Sequence, residues 1–209
     1  TPTVLSTAVQ GGNPPDLASV SQPGLMKDFQ AKGALKPIDF AKTDIADNYP
    51  DDFVKLGTID GKLYGLIFKG ANKSTVWYNV KSFKDAGVTA PKTWDELMTD
   101  ATTLKASGIT PFSVGGADGW TLTDLFENIY LRQAGGDMYD KLSTHTIKWT
   151  DPSVTKALTT MGQYLKSEDI AGGTSGALQT DFPTSVSNVF SATPKAALVA
   201  EGDFVPGVV

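Results

Sequence analysis

The chain has 209 residues, 40% of them apolar and 20% charged, which is enough for a packed core and argues against disorder. A net charge of −5, with Arg132 the only arginine among 18 cationic side chains, argues against a nucleic-acid partner and nearly removes bidentate phosphate recognition. With no cysteine there is no disulfide, thiol nucleophile or thiolate-held metal, and no run approaches the roughly 18 apolar residues of a membrane-spanning helix.

In chain order, "TVLSTAVQGG" has apolar residues at helical spacing and stops at Gly11-Gly12. The chain does not begin with Met and shows no leader, and its end is strand-like, so both ends read as cut from the interior of something longer. "NPPDLASVS" predicts a turn and a short strand around Leu17 to Val20. "GLMKDFQAKG" predicts a helix through Leu25, Met26 and Phe29 that stops at Gly33. "IDGKLYGLIF" reads as a hairpin turning at Asp60-Gly61. "STVWYN" reads as a buried strand and "VKSFKDAG" as a short helix. In "APKTWDELMTDATTLKASG" Thr93 is the N-cap, Glu96 closes a capping box and Gly108 ends the helix.

"ITPFSVG" reads as a strand. A helix beginning near Leu122 places Leu122, Leu125, Phe126, Ile129 and Tyr130 on one face. Asp151-Pro152 opens another helix, "GGTSGA" reads as a flexible connection, "FPTSVSNVFS" as a helix and "AALVAE" as a final strand. Strands alternating with longer helices predict α/β layering with largely parallel strands.

Catalytic and phosphate-binding motifs are missing. His145, the only histidine, lies in the polar stretch "LSTHTIKW" and reads as solvated. There is no G-x-S-x-G elbow, H-E-x-x-H, Walker A or G-x-G-x-x-G. Carboxylates are plentiful, but no spacing picks out a glycosidase pair.

"YGLIFKGANKSTVWYNVKSFKDAGVTAPKTWDEL" carries an apolar Val76-Trp77 before Tyr78-Asn79, then a short helix, then Pro91, Thr93, Trp94, Glu96 and Leu97. This resembles the signature region of family 1 extracellular solute-binding proteins of ABC importers. "GNPPDL" (Gly12 to Leu17) looks like that family's early turn. "GWTLTDLFENIYLRQAGGDMYDKL" followed by "WTDPSVTKAL" looks like its α-glucoside-type branch. Phe68 and Thr75 stand where small residues are usual, and the chain is shorter than family members.

The resemblance implies a type II, two-lobed periplasmic-binding-protein-like α/β fold, incomplete at both ends. Residues 1–71 would be part of the first lobe, lacking its first strand and helix, and 72–209 most of the second, ending at the return strand. It implies an extracellular or periplasmic, non-catalytic sugar receptor with no cofactor or metal. The carbohydrate would pass to a membrane permease, and the receptor would be held at the membrane through an anchor outside this chain. No nucleic-acid partner is expected.

The ligand is expected between the lobes. Trp120, in the glycine-rich loop "GGADGW", is the leading residue for stacking on a sugar face, against a staple onto the next helix. Asp118 reads as a hydroxyl acceptor or a charge at the helix start. In "VAEGDF", Phe204 reads as stacking or core, and Glu201 and Asp203 as sugar contacts or solvated loop charges. Asn72 and Lys69 flank the crossing, Lys69 reading more readily as a surface charge than as a ligand contact. Ser21 and Gln22 follow the expected first strand and would contact ligand or cap a helix. Trp77, Tyr78, Trp94 and Trp149 read as structural. One alternative is a carbohydrate-cleaving enzyme drawing two carboxylates from Asp118, Asp124, Glu127, Glu201 and Asp203. A receptor for a metal or oligopeptide is another, though one histidine and no cysteine speak against a transition metal.

Overall fold

A computed structural model describes residues 2–209, and the chain divides into two compact units, Thr1–Gly70 and Ala71–Val209. The first unit is helical with one small hairpin: α1 (Pro2–Gln10), α2 (Pro23–Ala31), α3 (Lys42–Asn48), α4 (Asp51–Leu56), β1 (Thr58–Ile59) and β2 (Lys62–Leu63). Pro23 sits at the start of α2, where its missing N–H is harmless. Phe29, Ile45 and Leu63 are buried. Asp60 and Gly61 both take positive φ, 49° and 75°, the left-handed pair that a two-residue hairpin turn needs. A Cβ on Gly57 would lie 1.9 Å from the Gly65 carbonyl oxygen, so only glycine lets the chain close beside the hairpin.

The strand expected around Leu17 to Val20 does not form. That stretch is irregular and Leu17 is 92% exposed, and Pro14-Pro15 just ahead supplies no N–H to a ladder. Conversely α3 and α4, for which the sequence raised no expectation, fill residues 42–56. Neither start is capped by a side chain, which removes the usual signal.

The second unit builds helices around a three-stranded sheet ordered β3 (Thr75–Tyr78), β5 (Leu198–Glu201), β4 (Phe112–Ser113). Its helices are α5 (Val80–Ala86), α6 (Trp94–Ala106), α7 (Trp120–Ala134), α8 (Gly136–Ser143), α9 (Pro152–Tyr164), α10 (Gly173–Ala177) and α11 (Phe182–Phe190). Successive residues of β5 feed opposite faces. Leu198 joins the cluster with Phe83, Leu97, Leu104, Phe112 and Tyr164, while Val199 packs with Val189 and Ala196. A further cluster of Phe126, Ile129 and Tyr130 against Val154, Ala157 and Met161 joins α7 to α9.

Three expectations change here. β4 pairs β5 in parallel, but β3 pairs it antiparallel, Thr75 opposite Glu201 and Tyr78 opposite Leu198, so the sheet is mixed and not largely parallel. Alternation of strands and helices is blind to a strand that pairs across more than a hundred residues. β3 is also an edge strand of this sheet, with Val76 44% exposed and Trp77 and Tyr78 half-buried, not the buried strand its composition suggested. And "GGTSGA", read as a flexible connection, contains α10. The mixed topology has one consequence for function: the carboxyl ends of β4 and β5 and the start of β3 meet at one end of the sheet, the end at which open α/β sheets present ligand-binding loops.

Candidate ligand-binding site

Three segments converge at that end: 72–75 leading into β3, 114–120 leaving β4 and 201–204 leaving β5. The first and last of these are stapled together, while the middle one is held by backbone bonds from Gly116 and Ala117 to the Ala177 and Thr180 carbonyls. The Thr75 hydroxyl donates to the Glu201 carbonyl, the Asp203 N–H to the Asn72 carbonyl at 2.9 Å, and the Trp77 indole N–H to the Gly202 carbonyl at 3.0 Å. A Cβ on Gly202 would lie 2.3 Å from the Phe204 ring; glycine there lets the ring fold back over the strand end. Gly119, at φ 76°, takes the turn from which α7 starts.

On this frame stand three aromatic rings. Trp120 lies 5.2 Å from Phe182 and 5.9 Å from Phe204, and Phe182 and Phe204 meet edge to face at 5.4 Å. All three are half-buried, and the tilted geometry matches what ring quadrupoles favour. Lys73 holds its ammonium 5.7 Å above the Trp120 ring centre and donates to Asp124 Oδ1 at 2.8 Å.

Two buried carboxyls belong to this end of the sheet, Asp124 and Glu201, the first of them paired with Lys73. Asp124 Oδ2, Glu201 Oε2 and the Tyr164 hydroxyl have no hydrogen-bond partner among the described residues. Burial first, and the Asp124 charge second, push the Glu201 carboxyl up to about 7, while the Gly202 N–H and Lys73 pull the other way. Ser113, Thr121, Tyr164 and Glu201 help line a small cavity here.

The sequence candidates divide by unit. Trp120, Phe204, Asp203, Asn72, Glu201 and Asp118 belong to the second unit, and Ser21, Gln22 and Lys69, all exposed, to the first. Trp120 and Phe204 are brought together, and Asn72 and Asp203 are joined through their backbones. The Asn72 side chain turns onto Ser74, accepting from its N–H and hydroxyl. Asp203 and Asp118 are exposed. Three readings need correction. Trp120 is the first residue of α7, not a loop residue ahead of a helix starting near Leu122, and no side chain, Asp118 included, caps that helix. Glu201 is no solvated loop charge, since its pairing with Thr75 sets it inside the sheet. Gln22 stands at the start of α2 without a side-chain cap, and no strand precedes it.

Of the tryptophans read as structural, Trp94 bonds Gln163 through its indole, whereas Trp149 is 56% exposed and lies against Phe126. Sequence reasoning missed Lys73 and Phe182 as members of this cluster and met Asp124 only within the enzymatic alternative. Asp124 carried a readable signal, an acid one helical turn after Trp120. Lys73 and Phe182 carried none, since both reach Trp120 only through tertiary packing. Among the described residues no group of His, Cys, Asp or Glu is placed to hold a metal ion, and no helix is long and apolar enough to cross a membrane.

Residues 2–204 match the family model described as bacterial extracellular solute-binding protein. An osmoprotective compounds-binding protein, GgtB of Synechocystis sp., is 36% identical over 97% of this chain and 50% of its own. The alpha-glucosides-binding periplasmic protein AglE of Rhizobium meliloti is 38% identical over 94% of this chain and 46% of its own. A chitin oligosaccharide binding protein of known structure superposes with TM-score 0.78 at 26% identity, over 98% of this chain and 50% of that one. The solute-binding protein RafE, solved with raffinose, superposes at 0.74 and 20% identity, over 98% and 53%. The chain thus spans about half the length of the curated relatives it matches and carries, in part, the two-lobed α/β fold of solute-binding proteins.

Proposed function

Because the chain belongs to the bacterial extracellular solute-binding protein family, we propose that it forms part of a non-catalytic receptor that binds a saccharide and delivers it to the permease of an ABC importer. The observation that carries this reading is the pairing of half-buried Trp120 and Phe204 on segments leaving adjacent strands, with polar groups around them. Sugars offer C–H faces for aromatic rings and hydroxyls for donors and acceptors, and such a ring pair serves the first need. The names of the relatives, which mention α-glucosides, raffinose and chitin oligosaccharide, support an α-glucoside or oligosaccharide as the ligand class.

In this reading residues 1–71 form part of the first lobe and 72–209 most of the second. Ser21, Gln22 and Lys69 are the first lobe's candidate contacts, and Asn72, Asp118, Trp120, Glu201, Asp203 and Phe204 the second's. The receptor works outside the cytoplasmic membrane or in the periplasm, tethered through an anchor elsewhere in the protein. Binding of the sugar would shift a two-state equilibrium of the receptor by the ligand's preference for one state.

Removing the Trp120 ring tests the reading. By analogy with aromatic stacking on bases, Trp120→Ala should weaken saccharide binding in the complete receptor by about 1–3 kcal/mol, measured by calorimetric titration. Unchanged affinity would remove Trp120 from the site. Incubation with chromogenic glycosides should give binding without turnover; release of the chromophore would favour the hydrolase.

A further inference from the structure

Lys73 is held where a saccharide would meet the Trp120 ring, and nothing in its sequence neighbourhood marks it. Its backbone is pinned on both sides. The Asn72 carbonyl accepts from the Asp203 N–H at 2.9 Å, and its own carbonyl accepts from the Asn128 side-chain amide at 3.4 Å. The side chain then crosses to α7. Asp124 follows Trp120 by four residues, so carboxylate and indole lie on one helix face, and the ammonium is bracketed between them, 2.8 Å from Asp124 Oδ1 and 5.7 Å from the ring centre.

Accepting the saccharide-receptor reading, we propose that Lys73 is a specificity-determining residue whose ammonium donates to an oxygen acceptor of a neutral saccharide lying against Trp120, and that Asp124 is the positioning residue that aims it. An ammonium has three donors and no acceptor. Asp124 takes one, and the indole face attracts the charge without using a further N–H. The rest meet no acceptor among the described residues, and the Lys73 side chain is 50% exposed where that of Asp124 is 7%. Lys73 is therefore the member of the pair that a ligand reaches. Asp124 acts through it, since its carboxylate is buried, its second oxygen meeting no partner among the described residues. An exposed lysine ordinarily keeps its rotamer freedom and contributes little; here two partners on one helix face fix it beforehand, which is how positioned groups gain affinity.

Calorimetric titration of the complete receptor with maltose, trehalose, sucrose and raffinose first identifies the tightest of the four. For that sugar, Lys73→Met should lose about tenfold or more in affinity, the scale of a hydrogen bond to a charged group. Lys73→Arg should restore most of it, and Asp124→Asn should weaken binding while Lys73 remains. The double variant Lys73→Met/Asp124→Asn should bind no more weakly than Lys73→Met alone. It also removes both charges together, so it carries the same reading if Lys73→Met by itself fails to fold. Wild-type affinity in a folded Lys73→Met receptor, with Trp120→Ala still impaired, overturns the role of Lys73 and leaves the receptor reading standing. Additive losses in the double variant overturn the positioning role of Asp124. If none of the four sugars binds the wild-type receptor, both the reading and this inference fail.

Discussion

Glu201 shows how one side chain joins stability to the candidate site. It ends β5 opposite Thr75, and its carboxyl is buried within reach of the Asp124 charge. Its pKa rises from an ordinary 4.5 to about 7, so between those values the folded chain holds a proton that the unfolded chain has released. Stability from this group is then fully present below about 4.5, falls as pH rises toward 7, and is flat above. Thermal melts at pH 5 and pH 8 should show a larger loss of midpoint for the wild type than for Glu201→Gln. Asp52, Asp151 and Asp181, whose carboxyls are held low by hydrogen bonds from Lys55, Ser153 and Thr184, are common to both proteins and cancel. Equal losses would show that Glu201 titrates as an ordinary carboxylate.

At the scale of elements, four of the helices legible from sequence carry a capping side chain, α2 and α7 being legible without one, and the illegible helices carry none. Asn79, Thr93, Asp151 and Asp181 each accept from a backbone N–H in the first turn of α5, α6, α9 and α11. α3, α4, α8 and α10 begin without any side-chain cap, and none of the four was expected. The box at α6 is shifted by one residue. Glu96 N–H donates to Thr93 Oγ1, as expected, but the Glu96 carboxylate accepts from the N–H of Lys92. Thr93→Ala should therefore cost about 1 kcal/mol, read as a lower urea midpoint with unchanged slope. In the first unit, Gly57→Ala should cost about 1–3 kcal/mol or more, as overpacking does. The added methyl meets backbone at 1.9 Å, with no flexible side chain to give way. Exchange protection should fall around β1 and β2; a Gly57→Ala protein as stable as wild type would mean that the loop at Gly65 yields freely.

For the molecule as a whole, the proposed role implies linkage between occupancy and stability. A saccharide that binds only the folded receptor, at a hundred times its dissociation constant, should add about 2.7 kcal/mol to unfolding. Urea titration of the complete receptor with and without the sugar measures this, and the gain should shrink in Trp120→Ala at the same sugar concentration. A sugar that binds by calorimetry yet leaves the urea midpoint unmoved would mean that it binds the unfolded chain as well.

Local chemistry determined the α/β class, the hairpin at Asp60-Gly61 and the capped helices, because caps, turns and periodicity act between residues a few positions apart. The motif order from Gly12 to Leu158 also determined the family. Tertiary structure alone decided the antiparallel seating of β3, the withdrawal of Glu201 into the sheet, the start of α7 at Trp120, and the arrival of Lys73 and Phe182 beside that ring. Each depends on groups tens of residues or more apart in the chain, whose meeting is set by how β5 lies between its neighbours, and no local spacing records that placement.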